Sequence, residues 1–316
     1  MNMITGLPFD DVRSLARALP PLDTAATTNA RTNSERYEQR VGGLGTVAGI
    51  AEWLAGVTGR PPRVLRPVVA LFAGTHRSGA KQNTSEVQAF VDRCAAGGSA
   101  VNQACAAGDI GLKIFDLALD VPVDDIAEGA ALDEKGCAAT IAFGMEAIAG
   151  GTDLLILAGQ GGEAGDESAL ALLAAVAGIA VTGEGQAARA LDRHHGHLSD
   201  PLEALRLLGG REAAALVGAI LAARVERVPV LLDGRTALAA AAVAHRLSPD
   251  ALHHCRVADA GADAGADAAS SALGLTALLG LGIRTGDGAA GALGASLAKS
   301  AGLIHAGAAE FLSRGG

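Results

Sequence analysis

The sequence predicts an α/β fold, a doubly wound and mostly parallel sheet with helices on both faces. Three observations carry this. First, short and almost continuous apolar runs recur between helical patterns, as in Pro67-Val-Val-Ala-Leu-Phe-Ala73, Asp153-Leu-Leu-Ile-Leu-Ala158 and Pro229-Val-Leu-Leu-Asp233. A strand covered on both faces has this form, because neither face meets water. Second, a glycine-bearing turn and then a helical pattern follow each run, which is the alternation parallel strands require. Third, 316 residues with 50% hydrophobic content can bury a large core, while 3% aromatic content and 43 glycines call for aliphatic side chains and closely packed helices.

The elements follow in order. From Pro8 to about Gly59 the pattern is helical, with Val12, Leu15, Ala16 and Leu19 on one face and Leu44, Val47, Ile50, Ala51 and Leu54 on another. Arg60-Pro61-Pro62 breaks it. The run ending at Gly74 is the first strand, a helical stretch covers about Ser85 to Ala106, and Leu112–Leu117 is a second strand. A helix spans Asp133 to Ala149, starting near Asp133 or Ala131. The strand at 153–158 runs into Gly159-Gln-Gly161-Gly162-Glu-Ala-Gly165, and the apolar run Ala169–Thr182 reads as a buried helix and its exit. Asp200-Pro201-Leu202-Glu203 places a cap, a first-turn proline and an acid at the start of the helices reaching Val225. The strand at 229–233 leads to a helix over Thr236–Leu247 and a weaker strand at His254–Ala258. The low-complexity stretch from Asp259 to Asp267 reads as a flexible loop.

Composition narrows the function classes. A net charge of −9 without a basic patch, together with few aromatics, argues against nucleic acid and for small-molecule ligands. The apolar runs are too short to span a bilayer, and the N-terminus lacks a basic segment followed by an apolar one, so neither a membrane span nor a signal peptide is expected. Cys94, Cys105, Cys137 and Cys255 have no metal-binding spacing and read as buried free thiols in a reducing cytoplasm. His194-His195-Gly196-His197 lacks a companion acid or cysteine, so solvated histidines are expected there and no metal.

Four turns follow apolar runs and should gather at one edge of the sheet: Gly74–Ser78, Gly159–Ser168, Asp233-Gly234-Arg235 and Thr285–Gly291. The second could hold phosphate on backbone N–H groups, but its Glu163, Asp166 and Glu167 would repel an anion, so a structural turn is the competing reading. In the fourth, Gly286-Asp287-Gly288 sets one carboxylate between two glycines before an alanine-rich segment. It is either a tight turn opening a helix or a ligand site whose glycines let substrate approach the backbone.

Several segments resemble nicotinate-nucleotide:dimethylbenzimidazole phosphoribosyltransferases. They include Val69-Ala-Leu-Phe-Ala-Gly74 with His76, Cys137 through Leu155, Asp200-Pro-Leu-Glu-Ala-Leu205, Leu208-Gly-Gly-Arg-Glu212, Pro229 through Gly234, and Leu281-Gly-Ile-Arg-Thr-Gly-Asp-Gly288, in order over nearly the whole chain. The resemblance implies a Rossmann-like domain (63–291) and a small helical domain from both termini (1–62 and 292–316), in a homodimer needing no cofactor. It implies transfer of phosphoribose from nicotinate mononucleotide to 5,6-dimethylbenzimidazole, giving α-ribazole 5'-phosphate for the cobalamin nucleotide loop.

By the same resemblance Asp287 stands where the family has a glutamate general base. Gly161, Gly162, Gly165 and Ser168 would lie near the phosphate, and His76, Ser85 and Gln88 near the benzimidazole. Gln160, Asp233, Gly286 and Gly288 complete the expected substrate contacts. The chain departs from the family where Gly-Glu-Met-Gly-Ile-Gly-Asn-Thr-Thr is replaced by Gly159–Ser168 and where a lysine-bearing segment is missing between Gly178 and Leu191. The alternative is therefore a catalytically impaired relative that binds a benzimidazole-like ligand or pairs with an intact homologue as a heterodimer.

Overall fold

The computed structural model describes residues 7–79, 81–261 and 263–314. Its strands in chain order are β1 (Pro67–Ala73), β2 (Arg77–Ser78), β3 (Lys81–Gln82), β4 (Gly111–Asp116), β5 (Leu154–Gln160), β6 (Val230–Asp233), β7 (Cys255–Asp259) and β8 (Ala277–Leu279). Six form one sheet in the order β4-β1-β5-β6-β7-β8, with every neighbouring pair parallel. The remaining two, β2 and β3, make a small antiparallel hairpin. The winding direction reverses beside β1, since the chain goes out to β4 and returns on the other side of β1 as β5. Such a reversal opens a crevice at the carboxyl ends of the two strands. Here the Gly74 N–H bonds the Gln160 carbonyl across it at 3.0 Å.

Side-chain alternation splits the sheet's residues between two cores. Ala70, Phe72, Leu155, Leu157, Val230 and Leu232 join the larger one, under the helices Glu134–Gly144, Gly162–Ala177, Arg211–Val225 and Arg235–Leu247. Val69, Leu154, Ile156 and Leu231 join the smaller one, with the helices Thr46–Thr58, Ala100–Gly108 and Ala289–Ser313. Small residues set the helix spacing. A Cβ added at Gly218 would fall inside the Ile141 carbonyl, and one at Gly144 inside that of Ala215. Helices Arg211–Val225 and Glu134–Gly144 therefore pack almost backbone to backbone, which is what the glycine-rich, aromatic-poor composition anticipated.

The 25-residue helix Ala289–Ser313 joins two parts of the molecule. Its first half buries Ala289, Ala292 and Ala295 against the sheet, and its second half packs on the helices Thr24–Glu38 and Thr46–Thr58, where His305 Nε2 meets the Ala30 carbonyl at 3.2 Å. The first helix, Asp10–Arg17, instead puts Val12 and Ala16 into the larger core and pairs Arg13 with Asp200 at 2.9 Å.

Three local expectations need correcting. The 85–106 stretch is two helices, Thr84–Ala95 and Ala100–Gly108, because Gly97 (φ 76°) and Gly98 break it and Ser99 caps the second. The stretch from Asp259 is not all loop, since the Asp263 carboxylate accepts from the Gly265 N–H and caps a helix over Ala264–Ala272. His194 is buried rather than solvated, with Nε2 against the Ile126 and Gly129 carbonyls, whereas His195 and His197 are exposed. Strand β8 was not among the expected elements, because its three residues are too few to show a pattern. Among the described residues no helix is long and apolar enough to cross a membrane, and all four cysteines are buried free thiols.

Candidate active site

The four turns do meet at the carboxyl edge of the sheet. Two adjoining cavities open there, of 640 and 470 Å³, sharing Glu86, Gln160, Gly162 and Thr285 in their walls. The larger is polar and reaches across β6 and β7 to Arg235, Asp233, Asp259 and Asp263, with Arg284 on the loop before Asp287. The smaller is faced by Val87, Ala89 and Phe90 from the helix Thr84–Ala95, and Asp287 borders it.

Asp287 is 4% exposed. Its Oδ1 accepts from the Thr285 hydroxyl at 2.6 Å and from the Ala289 N–H at 3.1 Å, at the start of the long helix. The loop before it is tied down from two sides. Asp259 accepts from the Leu281 and Ile283 N–H groups, both at 2.6 Å, and the Gln160 side-chain amide donates to the Thr285 carbonyl at 3.1 Å. Glycines make the approach possible: Gly288 has φ 94° and Gly234 has φ 87°. A side chain at Gly234 would also strike Gly286, its Cβ lying 2.9 Å from the Gly286 Cα.

Below this floor lies a buried pair that sequence reasoning missed. His76 Nε2 and Glu212 Oε1 are 2.7 Å apart, with side chains 2% and 1% exposed. Gly74, Gly161, Gly165 and Gly210 surround them so closely that a Cβ on the first, second or fourth would clash with the pair. The same knot reaches the turn after β5, because the His76 N–H donates to Asn83 Oδ1 at 2.7 Å and the Asn83 amide donates to the Gly161 carbonyl. The available signal was the acid in Leu208-Gly-Gly-Arg-Glu212, in the first turn of a helix whose next eleven residues, Ala213 to Ala223, are all apolar.

Of the residues expected from sequence, Gln160, Gly161, Gly162, Asp233 and Gly286 line the larger cavity, and Asp287 the smaller. His76 and Gly165 lie in the knot beneath them. The Ser168 hydroxyl donates to the Leu208 carbonyl at 2.6 Å, inside the core. Ser85 and Gln88 line neither cavity and are exposed, Gln88 donating to Asp92 at 2.9 Å. Gly288 packs against Val69. Arg235, Arg284 and Phe90 also line the cavities; in the sequence the two arginines stand out only as parts of their segments, and none of the three carries an expected role. No group of three or more metal-ligating side chains occurs among the described residues.

Burial raises the Asp233 carboxyl to about 6, and the charges of Asp287 and Asp259 push the same way while the Gly291 N–H, 2.8 Å from Oδ2, opposes. The native state therefore binds a proton that the unfolded chain has released between about pH 4 and 6. Stability from this group is present at the acid end and lost as pH rises to about 6, on the order of 3 kcal/mol for a shift of this size. Asp233→Asn keeps an acceptor for Gly291 and should flatten that decline, giving a higher thermal midpoint than the parent at about pH 7 but not at about pH 4. Equal differences at both pH values would contradict it. Burial, with Asp287 adding to it, also pushes the Cys105 thiol up to about 11, which leaves it a poor nucleophile at neutral pH.

A phosphoribosyltransferase emerges once this edge is compared with known proteins. A family profile described as "Phosphoribosyltransferase" matches residues 19–315. The nicotinate-nucleotide–dimethylbenzimidazole phosphoribosyltransferase of Sinorhizobium medicae is 48% identical, over 98% of each chain, and that of Rhizobium etli strain CIAT 652 is 47% identical over 99% of this chain and 98% of its own. The crystal structure of the Thermus thermophilus enzyme of that name superposes with a TM-score of 0.80 at 27% identity, covering 90% of this chain and 96% of the other. The chain belongs to the nicotinate-nucleotide–dimethylbenzimidazole phosphoribosyltransferase family.

Proposed function

We propose that the chain transfers phosphoribose from nicotinate mononucleotide to 5,6-dimethylbenzimidazole, releasing nicotinate and forming α-ribazole 5'-phosphate. The observation that carries this reading is a nearly buried carboxylate in the wall of the smaller of two adjoining cavities, next to the shared residue Thr285. The larger cavity is polar with Arg235 and Arg284, and the smaller is faced by Val87, Ala89 and Phe90 with Arg93 at its side. The polar cavity suits a phosphorylated ribose and the other a flat aromatic base.

In this reading one benzimidazole nitrogen attacks the ribose C1 while the bond to nicotinate breaks. The proton on the other ring nitrogen passes to Asp287. The carboxylate is oriented through Oδ1 by Thr285 and Ala289, so Oδ2 is the atom that takes the proton. Binding both substrates against one rigid floor supplies much of the acceleration. Gln160 contributes by fixing the Thr285 carbonyl, and with it the reach of the Asp287 loop. Incubating the purified chain with both substrates should yield α-ribazole 5'-phosphate and nicotinate in equal amounts by chromatography with mass detection. No product, under conditions where an intact relative reacts, would sink the proposal.

A further inference from the structure

The larger cavity presents seven carboxyl groups and only two cations among its described lining residues. The two cations differ in state. Arg284 is exposed and has no ion pair among the described residues. Arg235, the first residue of its helix, is part-buried and already occupied: its Nε lies 2.9 Å from Asp263 Oδ2, and its Nη2 contacts the same oxygen. Two guanidinium N–H groups on one anionic oxygen is an arrangement that a phosphate accepts as readily as a carboxylate.

From this we infer that Arg235 is the residue that recognises the 5'-phosphate of the nucleotide donor, and that Asp263 is an internal stand-in for that phosphate, displaced when the donor binds. The inference rests on the donor reading above and adds how this chain discriminates phosphorylated from unphosphorylated donor. Three further observations support it. The first turns of the helix Gly162–Ala177, where a phosphate was expected, direct Glu163 and Asp166 toward the cavity, and the Ser168 hydroxyl is committed to Leu208, so this segment supplies no cation. Arg235 and the buried Thr236 open the helix Arg235–Leu247 directly after β6, so the backbone N–H groups and dipole of that helix end act with the guanidinium. Finally, a phosphate cannot simply add to a wall so rich in acids. Exchange solves this, because one carboxylate leaves the fork as the phosphate takes it.

Asp166 sits close to the exchange. Burial raises its carboxyl, with Asp263, Glu86 and Glu167 pushing the same way and Arg235 opposing, so the position of Asp263 is felt there too. Asp263 can move without losing its structural task only if the cap is kept. Asparagine keeps the acceptor for the Gly265 N–H and gives up most of the hold on Arg235.

Titration calorimetry with nicotinate mononucleotide and with nicotinate riboside, which lacks the phosphate, tests this on the parent, Asp263→Asn, Arg235→Gln and the double variant. A charge-assisted hydrogen bond to phosphate corresponds to roughly a tenfold to hundredfold change in affinity. Asp263→Asn is expected to tighten the mononucleotide by about tenfold and Arg235→Gln to weaken it by at least about tenfold, with riboside affinity unchanged in both. The double variant should match Arg235→Gln, because the stand-in matters only through the arginine. Unchanged mononucleotide affinity in Asp263→Asn, or equal changes for both ligands, would overturn the inference, and so would failure of the mononucleotide to bind any of the four. Phosphate discrimination without transfer would leave this inference standing and defeat the transferase reading. Transfer without discrimination would do the reverse.

Discussion

Asp287→Asn is expected to lower the rate of transfer by roughly two to four orders of magnitude while the mononucleotide affinity changes little. The substitution keeps what the carboxylate does structurally. An amide oxygen still accepts from the Thr285 hydroxyl and the Ala289 N–H, so the loop and the helix start stay in place. It removes only the capacity to take a proton. The loss should therefore fall on the rate at saturating substrate and leave a normal thermal midpoint. Asp287→Glu is the informative control, since it restores the carboxylate with about 1.5 Å of additional reach. Measurable transfer by the glutamate variant together with its absence in the asparagine variant assigns the base. Full activity in Asp287→Asn would remove Asp287 from the chemistry and leave the cavity a binding site only.

The case for Asp287 also shows how far the sequence could carry the argument. Strands β1, β5 and β6 were legible because burial on both faces leaves an unbroken apolar run, and the turns after them could be placed at one edge because parallel strands put all their carboxyl ends there. Gly286-Asp287-Gly288 was legible as a turn, but its meaning was not, because a helix start and a site use the same residues. What separates the two is distance: the approach of Gly234 to Gly286 and the adjoining wall of Phe90 come from segments far apart in the chain. Carrying family positions over one by one placed Ser85 and Gln88 near the base, whereas the helix Thr84–Ala95 turns Val87, Ala89 and Phe90 to the cavity. The helical register of that segment could have been read from Val87, Val91 and Cys94, the first and last of which are buried. Arg235 was passed over for a different reason: nothing local marks an arginine whose partner, Asp263, lies 28 residues on and behind another strand.

His76→Leu should cost about 3 kcal/mol of folding stability, the upper end of what is typical when one partner of a buried hydrogen bond is removed and the other is stranded. The partner left behind is Glu212, 1% exposed, whose Oε2 already lacks a hydrogen-bond partner among the described residues. Leucine offers Oε1 nothing, and the glycines around it have no side chains with which to respond. The reverse change should be cheaper. In Glu212→Gln the amide can still meet a ring nitrogen, so the cost should be nearer about 1–2 kcal/mol, that of a weakened buried hydrogen bond. The double variant His76→Leu/Glu212→Leu removes both polar groups and should recover part of the loss, as buried pairs replaced by apolar residues often do. Urea unfolding of the four proteins reads all three differences directly. The two side chains also pack directly under Gly161 and Gly165, so His76→Leu, which leaves the backbone link to Asn83 intact, should still weaken mononucleotide binding under conditions where the variant is fully folded. If His76→Leu and Glu212→Gln were equally mild, and the double variant no better than either, the pair would be incidental to the fold. The four glycines around it would then need another explanation.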